Sequence, residues 1–156
     1  MDVNIREYQL ADREGCLMAF KSNVPLFFTS EEVGFFTNFL DTFYDKVTDI
    51  KTYFFVVLVD NKIIGCGGFG DKDNTQTISL AWGLIHKDFH KKGYGEKLLK
   101  YRLERIQKFY PANPLVIDTT QFSVGFFEKY GFEITKYTPD FYEKGMHRYD
   151  LIFKGK

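Results

Sequence analysis

The first third of the chain carries hydrophobic patterns that predict one strand followed by two helices. Residues 3–9 alternate between apolar and polar side chains, which is the period of a strand. Residues 11–22 and 29–46 instead repeat apolar side chains every three or four positions, which is the period of a helix. Ser30 stands where the second helix needs an N-cap, and acidic residues occupy its first turn.

The middle of the chain predicts three successive antiparallel strands and a long helix. Residues 53–60 and 63–70 are apolar runs separated by the turn residues Asn61 and Lys62, a pattern that indicates a hairpin. A third strand over 75–85 follows a polar turn. Apolar side chains at helical spacing then continue to residue 110, where two nearby prolines end the helix.

The last part of the chain predicts a strand over 114–120, a short helix over 122–130 and two closing strands over 131–137 and 146–153. The resulting order is β-α-α-β-β-β-α-β-α-β-β. This order predicts an α/β fold in which a mixed, mostly antiparallel twisted sheet carries helices on both faces. The 156 residues contain no linker or repeat, so we expect a single domain over 1–156.

Composition narrows the function mainly by exclusion. Lys+Arg and Asp+Glu balance at 21 each, so the chain has no overall positive field to attract nucleic acid or an anionic membrane. The charged N-terminus argues against a signal peptide, and no apolar stretch is long enough to span a membrane. Cys16 and Cys66 fit neither a metal-ligand spacing nor a disulfide framework. We therefore expect a soluble, cytoplasmic protein without nucleic-acid or membrane partners.

The segment IHKDFHKKGYGE, residues 85–96, joins a predicted strand to a predicted helix and contains the most informative chemistry in the chain. The start of a helix presents unpaired N–H groups and the positive end of a dipole, so it can bind a phosphate group. Gly93 and Gly95 let an anion approach the backbone, and Lys91 and Lys92 add positive charge. The pattern favours a diphosphate site, although such residues are equally common as a simple cap that faces solvent. Neither the P-loop nor the Rossmann glycine spacing is present.

This loop resembles the acyl-CoA-binding motif of the GNAT acetyltransferases, Gln/Arg-x-x-Gly-x-Gly/Ala, with His90 at its first position. Further along, FFEKYGF over 126–132 resembles the Tyr-Glu-Lys-x-Gly-Phe segment of the same family. The two segments stand in the order found in the family, and the predicted elements agree with its fold. The resemblance implies an N-acetyltransferase that uses acetyl-CoA as co-substrate, without a metal, and transfers the acetyl group directly to an amine.

The resemblance also implies which residues bind acetyl-CoA. The backbone of Gly83 and Ile85, in the strand before the loop, would face the pantetheine arm and polarise the thioester carbonyl. The loop would hold the diphosphate through His90, Lys91, Lys92, Gly93, Tyr94 and Gly95. Phe127 would pack on the cofactor.

The catalytic groups implied by the resemblance differ from the usual set at two positions. Phe127 stands where the family usually has a tyrosine that acts as general acid, and phenylalanine has no proton to give. The proton would then come from water or from a hydroxyl such as Tyr130, Thr119, Thr120 or Ser123. Ser79 stands near a glutamate that acts as base in some members, which leaves Asp118 as the best-placed catalytic carboxylate. An Asp118 that only caps the next turn fits the sequence equally well.

The resemblance assigns the acceptor pocket to residues 24–36 and 137–150, two segments rich in Phe and Tyr. Four acids in and beside them would attract a cationic amine or, equally, face solvent: Glu31, Glu32, Asp140 and Glu143. The acceptor, a small molecule or a peptide amine, and the acyl-chain preference stay open. A homodimer is compatible with the aromatic C-terminal segment. His86 and His90 have a zinc-like spacing but lack the helix and the glutamate of that motif.

Two further hypotheses fit the same residues. A GNAT-like domain could bind acyl-CoA as a sensor without catalysis, which Phe127 and Ser79 favour. A small nucleotide- or phosphate-binding domain could use the same loop for a different diphosphate.

Overall fold

The computed structural model of this protein describes residues 2–155 and contains the predicted succession of strands and helices. The strands are β1 (Val3–Glu7), β2 (Tyr53–Val59), β3 (Lys62–Asp71), β4 (Ile78–Ile85), β5 (Leu115–Thr119), β6 (Phe132–Glu143) and β7 (Met146–Phe153). The helices are α1 (Arg13–Lys21), α2 (Glu32–Thr42), α3 (Tyr94–Phe109) and α4 (Val124–Lys129). Single 3-10 turns lie over 10–12, 43–45 and 87–89.

The strands form one seven-stranded sheet in the order β1-β2-β3-β4-β5-β7-β6. All neighbouring strands are antiparallel except β4 and β5, which are parallel. A parallel pair requires a crossover, and α3 supplies it. The predicted α/β class with a mixed, mostly antiparallel sheet is therefore confirmed.

Helices cover both faces of the sheet, as strand β2 demonstrates. Its side chains at 54, 56 and 58 join a buried cluster with α1 and α2, whereas those at 55, 57 and 59 join clusters with α3 and α4. Successive strand residues point to opposite faces, so the two helix pairs lie on opposite sides. Aromatic rings fill much of the first cluster, with Phe20 stacked on Phe36 at 4.7 Å between ring centroids.

Local details differ from the prediction at the start of α2 and at the first hairpin turn. The N-cap position of α2 is Glu31 and not Ser30, and its side chain makes no capping hydrogen bond. Thr29 makes the reciprocal hydrogen bonds at this end of the helix: its Oγ1 accepts from the Glu32 amide while its own amide donates to Glu32 Oε1. The turn between β2 and β3 lies at Asp60 and Asn61, which both have positive φ angles. Such a pair suits a two-residue hairpin turn, so the turn begins one residue before the predicted position.

Strand β6 is longer than predicted and continues through Pro139 to Glu143. Proline cannot donate a hydrogen bond to a neighbouring strand, so it is unusual within one. The strand lies at the edge of the sheet, where an unpaired side tolerates proline, and its pairing with β7 shifts register between Thr138 and Glu143. Within residues 2–155, no helix combines the length and apolar character needed to cross a bilayer.

The close approach of β2 and β3 at Gly68 generates a stability prediction. A Cβ atom at Gly68 would overlap the backbone oxygen of Tyr53 and lie 2.9 Å from Cδ1 of Phe54. Gly68→Ala should therefore lower the free energy of unfolding by about 1–3 kcal/mol, measured by urea denaturation. Gly34→Ala is the matched control: its Cβ would meet nothing within 4 Å, and helix propensity should raise stability by about 1 kcal/mol. Equal effects of the two substitutions would contradict this account.

Candidate active site

Strands β4 and β5 pair over only two positions and then part. Ile78 pairs with Leu115 and Ser79 with Val116, after which no pairing connects the described residues of the two strands. The remaining parts, residues 80–85 of β4 and 117–119 of β5, line an opening in the sheet that we call the slot. Because edge backbone groups there have no strand partner, an extended ligand with amide groups could pair with them.

A bulge in β4 shapes one wall of the slot. Trp82 and Gly83 together face the single residue Gly67 of β3, since Leu84 pairs with Cys66 and Ala81 with Gly68. Trp82 has φ +49, a left-handed conformation that is strained for a bulky residue. Its ring packs against Phe20 and Phe36 at centroid distances of 5.8 and 5.3 Å, which holds the bulge in place. Gly83 is exposed between the partly buried Trp82 and the buried Leu84.

The loop after β4 presents a row of unpaired backbone amides. Within residues 2–155, the N–H groups of residues 91–96 have no hydrogen-bond acceptor. Lys91 and Gly93 have positive φ angles of 61° and 86°, which turns successive amides toward the same side. Gly93 is the N-cap of α3, a helix of 16 residues, so the positive end of the helix dipole adds to the amides. This arrangement, the amide nest, fits a phosphate or diphosphate.

The side chains of the nest have separate environments. Lys91 and Lys92 are exposed, and Lys92 Nζ lies 5.7 Å from the centre of the Phe89 ring. Tyr94 is buried and packs at 6.1 Å from Phe89, which anchors the loop. A Cβ at Gly95 would lie 3.9 Å from Phe126, whereas one at Gly93 would meet nothing within 4 Å. The space beside Gly93 is therefore open to a ligand.

His90 turns its side chain inward and shapes the loop. Its Nε2 lies 2.8 Å from the Ile85 oxygen and must donate, because a carbonyl oxygen can only accept. The same oxygen accepts a hydrogen bond from Asn23 Nδ2 at 3.0 Å, and the His90 amide donates to the Lys87 oxygen. Asn23 is buried and was not singled out from the sequence, although a polar residue just beyond the C-cap of a helix is a recognisable capping signal.

Phe27 connects three loops at the rim of the slot. Its ring meets His90 edge to face at 5.3 Å and Phe122 at 5.2 Å. His90 follows β4 and Phe122 follows β5, so this contact spans the two strand ends that part. The sequence indicated the segment around Phe27 but gave no signal that would single out this ring.

Phe127 is buried, and its ring packs against Phe126 and Phe132. Of the hydroxyls proposed to replace the missing tyrosine, Thr120 Oγ1 accepts a hydrogen bond from the Phe122 amide. Burial and a hydrogen bond to Glu96 raise the pKa of Tyr130, which makes that hydroxyl a poorer acid.

Acidic side chains from α2, β5 and β6 affect one another's ionisation near the slot. Asp118 of β5 accepts a hydrogen bond from the Tyr142 hydroxyl at 2.7 Å, and Arg148 Nη2 lies 3.9 Å from its other oxygen. Burial raises the pKa of Glu32, and the charges of Asp118 and Glu143 raise it further against the opposing hydrogen bonds from Thr29. Burial and Asp118 also raise the pKa of Tyr142. We call Glu32, Asp118, Tyr142 and Glu143 the acidic cleft.

The other two acids predicted near the acceptor, Glu31 and Asp140, are not part of this cleft. Asp140 accepts a hydrogen bond from the Gly145 amide at 2.7 Å and so stabilises the β6–β7 turn. Glu31 is exposed. His86 Nδ1 accepts from the Asp88 amide, and no group of three or more metal-ligating side chains occurs among residues 2–155.

Comparisons with known proteins agree with this geometry. The family model of the acetyltransferase (GNAT) domain matches residues 27–151. A Desulfovibrio desulfuricans protein described as a candidate GNAT acetyltransferase has a TM-score of 0.79 at 19% identity, covering 97% of this chain and 98% of its own. The ribosomal-protein-S18-alanine N-acetyltransferase from Escherichia coli has a TM-score of 0.73 at 14% identity, covering 97% and 93%. No curated protein sequence matches significantly.

The acidic cleft generates a prediction about the ionisation of Glu32. Asp118→Asn removes one of the charges that raise the Glu32 pKa, so that pKa should fall, while burial keeps it above the ordinary value for glutamate. Carbon-detected NMR of ¹³C-labelled glutamate measures this as a function of pH. Asp49→Asn, on the loop before β2, is the control and should leave the Glu32 titration unchanged. An unchanged Glu32 pKa in Asp118→Asn would show that the two carboxylates do not interact.

Proposed function

The chain belongs to the GNAT acetyltransferase family, and from this premise we propose that it transfers an acetyl group from acetyl-CoA to a primary amine. The observation that carries the proposal is the amide nest beside the slot, because the two together match the diphosphate and the extended arm of CoA. When bound, acetyl-CoA supplies an acyl group activated as a thioester. The residues of the chain have to hold it, admit the amine and remove a proton.

The amide nest supports the binding of the CoA diphosphate. Six consecutive amides, residues 91–96, have no acceptor in the part of the chain that the structure describes, and the exposed Lys91 and Lys92 add positive charge. The open space at Gly93 lets phosphate oxygens reach the backbone at hydrogen-bond distance. Phe89 and Tyr94 fix the loop from below. The group and the residues therefore fit one another.

The slot supports the binding of the pantetheine arm. The free edge of β4 offers backbone groups in an extended conformation, and the arm carries two amides that can pair with them. The Ile85 oxygen already accepts from Asn23 and His90, so we assign the pairing to residues 81–84. An amide at the bulge beside Gly83 would then donate to the thioester oxygen and stabilise the negative charge that develops there.

The acidic cleft supports a cationic amine as acceptor. Its carboxylates attract an ammonium group, but the amine attacks only after losing a proton. Asp118 is held by Tyr142 and Arg148 and so serves mainly to orient the amine. Glu32 is the better proton acceptor, because burial raises its pKa towards the working pH. We therefore propose Glu32 as the base and Asp118, the carboxylate that the sequence indicates, as its partner.

Phe127 favours a second candidate function, a domain that binds acyl-CoA without catalysis. The phenylalanine ring is buried and offers no proton to a leaving thiolate. Retained binding of acetyl-CoA, with no turnover of any amine, would support this candidate over the enzyme.

Binding of acetyl-CoA is tested by Gly93→Asp. The new carboxylate would repel the diphosphate, and the left-handed backbone conformation at residue 93 is strained for a residue with a side chain. The affinity for acetyl-CoA in calorimetric titration should therefore fall by about 100-fold or more. Gly155→Asp is the matched control, because Gly155 has nearly the same φ (83° against 86°) and equally open space, but lies at the far end of the chain. Failure of folded wild-type protein to bind acetyl-CoA would overturn the proposal, and equal binding of ATP would favour a nucleotide site.

Catalysis is tested by release of free CoA thiol from acetyl-CoA with a panel of primary amines. Glu32→Gln keeps the oxygen that caps Thr29 but loses the base, so kcat/KM should fall by about 100-fold. It should also remove the acid limb of the pH–rate profile, which reflects a glutamate whose pKa is raised. Glu31→Gln is the control with the same change of charge at an exposed neighbour. Equal rates for the two variants would exclude Glu32 as the base.

A further inference from the structure

Arg102 of α3 is a buried cation without a carboxylate partner among the described residues. It is 3% exposed, its Nη1 donates to the Gly68 oxygen at 3.2 Å, and its Nε has no hydrogen-bond partner. Burial lowers the pKa of Arg102 to about 10, which leaves the guanidinium charged at neutral pH. Burial raises the pKa of nearby Cys66, so its thiol is neutral and does not balance the charge.

An unbalanced charge in the interior is costly to the folded protein. Buried charges are normally paired, and an apolar side chain of similar volume is often as good or better for stability. Among residues 2–155, the guanidinium makes one hydrogen bond, to the Gly68 oxygen, and this satisfies little of a group that has five N–H donors. A buried group that keeps its charge without a partner is therefore a candidate for balancing a negative charge on a bound ligand.

Two glycines make room for Arg102 beneath the slot. A Cβ at Gly83 would lie 2.8 Å from Nη2 and 3.1 Å from Nη1, and a Cβ at Gly67 would lie 3.4 Å from Cζ. Gly83 is the exposed bulge residue of β4. The guanidinium therefore packs against the backbone of Gly83, the residue of the slot wall beside which we assign the thioester.

We propose that Arg102 stabilises the thiolate that leaves when the acetyl–sulfur bond breaks, and so replaces the proton that Phe127 cannot supply. This inference rests on the proposed acetyl transfer. The amine nitrogen forms the C–N bond, the electron pair of the C–S bond departs with sulfur, and Glu32 takes the proton that nitrogen loses. The guanidinium keeps its proton and balances the charge on sulfur, in a low-dielectric site where such a charge is most effective.

The proposal predicts that the protein lowers the pKa of the bound CoA thiol. A cation within about 4–6 Å lowers the pKa of an acid by about 1–3. Calorimetric titration with CoA and with desulfo-CoA, which lacks the thiol, measures this between pH 6.5 and 9. In the wild type, the affinity for CoA relative to desulfo-CoA should rise several-fold across this range, because the protein prefers the thiolate form of CoA.

Arg102→Met removes the charge with little change of volume, and Arg102→Lys retains a charge. The rise should vanish in Arg102→Met and persist in part in Arg102→Lys, while desulfo-CoA binds all three proteins alike. Once an amine substrate is known, Arg102→Met should lower kcat and should change the KM for acetyl-CoA by a smaller factor. If Arg102 had only a structural role, Arg102→Met would change the affinities for CoA and for desulfo-CoA by the same factor.

Each alternative result has a separate meaning. The same pH dependence in wild type and Arg102→Met would overturn the role of Arg102 and leave the acetyl transfer intact. Absence of both CoA and desulfo-CoA binding in the wild type would instead overturn the proposed function. If Arg102→Met does not fold, Gly83→Ala tests the same role of Arg102, because its methyl group would displace the guanidinium. It should abolish the rise, and a retained rise would refute the proposal.

Discussion

The parting of β4 and β5 after two paired positions is the constraint on which the site depends. A continuous sheet would bury the backbone of both strands and leave no place for an extended ligand. Three features keep the strands apart. The bulge at Trp82 bends β4, the amide nest redirects the chain into α3, and Phe27 spans the two strand ends.

The order of the elements could be predicted from the sequence because local patterns determine it. Helical spacing, strand alternation and turn residues all act within a few positions. Strand β6 was predicted too short because its course through Pro139 depends on a distant partner, β7, which pairs with it at a sheet edge. At the start of α2 the signal was local. The pattern Thr-x-x-Glu over 29–32 indicates a reciprocal cap, and the choice of Ser30 overlooked it.

The same distinction applies to the site. The amide nest could be predicted because its glycines and lysines are contiguous, and the structure brings its amides to the start of α3. The acidic cleft could not, since Glu32, Asp118 and Glu143 are separated along the chain and meet only through the sheet. Arg102 stands at helical spacing with Leu98, Leu99 and Ile106, but spacing alone does not show that it is buried without a carboxylate partner. Its burial depends on glycines in two other elements, β3 and β4.

The bulge at Trp82 gives this protein a built-in optical reporter. Trp82 is the single tryptophan of the sequence and adjoins Gly83 in the wall of the slot. Its indole is partly buried among Phe20 and Phe36, on the face opposite Arg102. Filling the slot changes the surroundings of this one fluorophore, while unfolding exposes it. Ligand occupancy and loss of the fold can thus be followed by emission from one position, without a label.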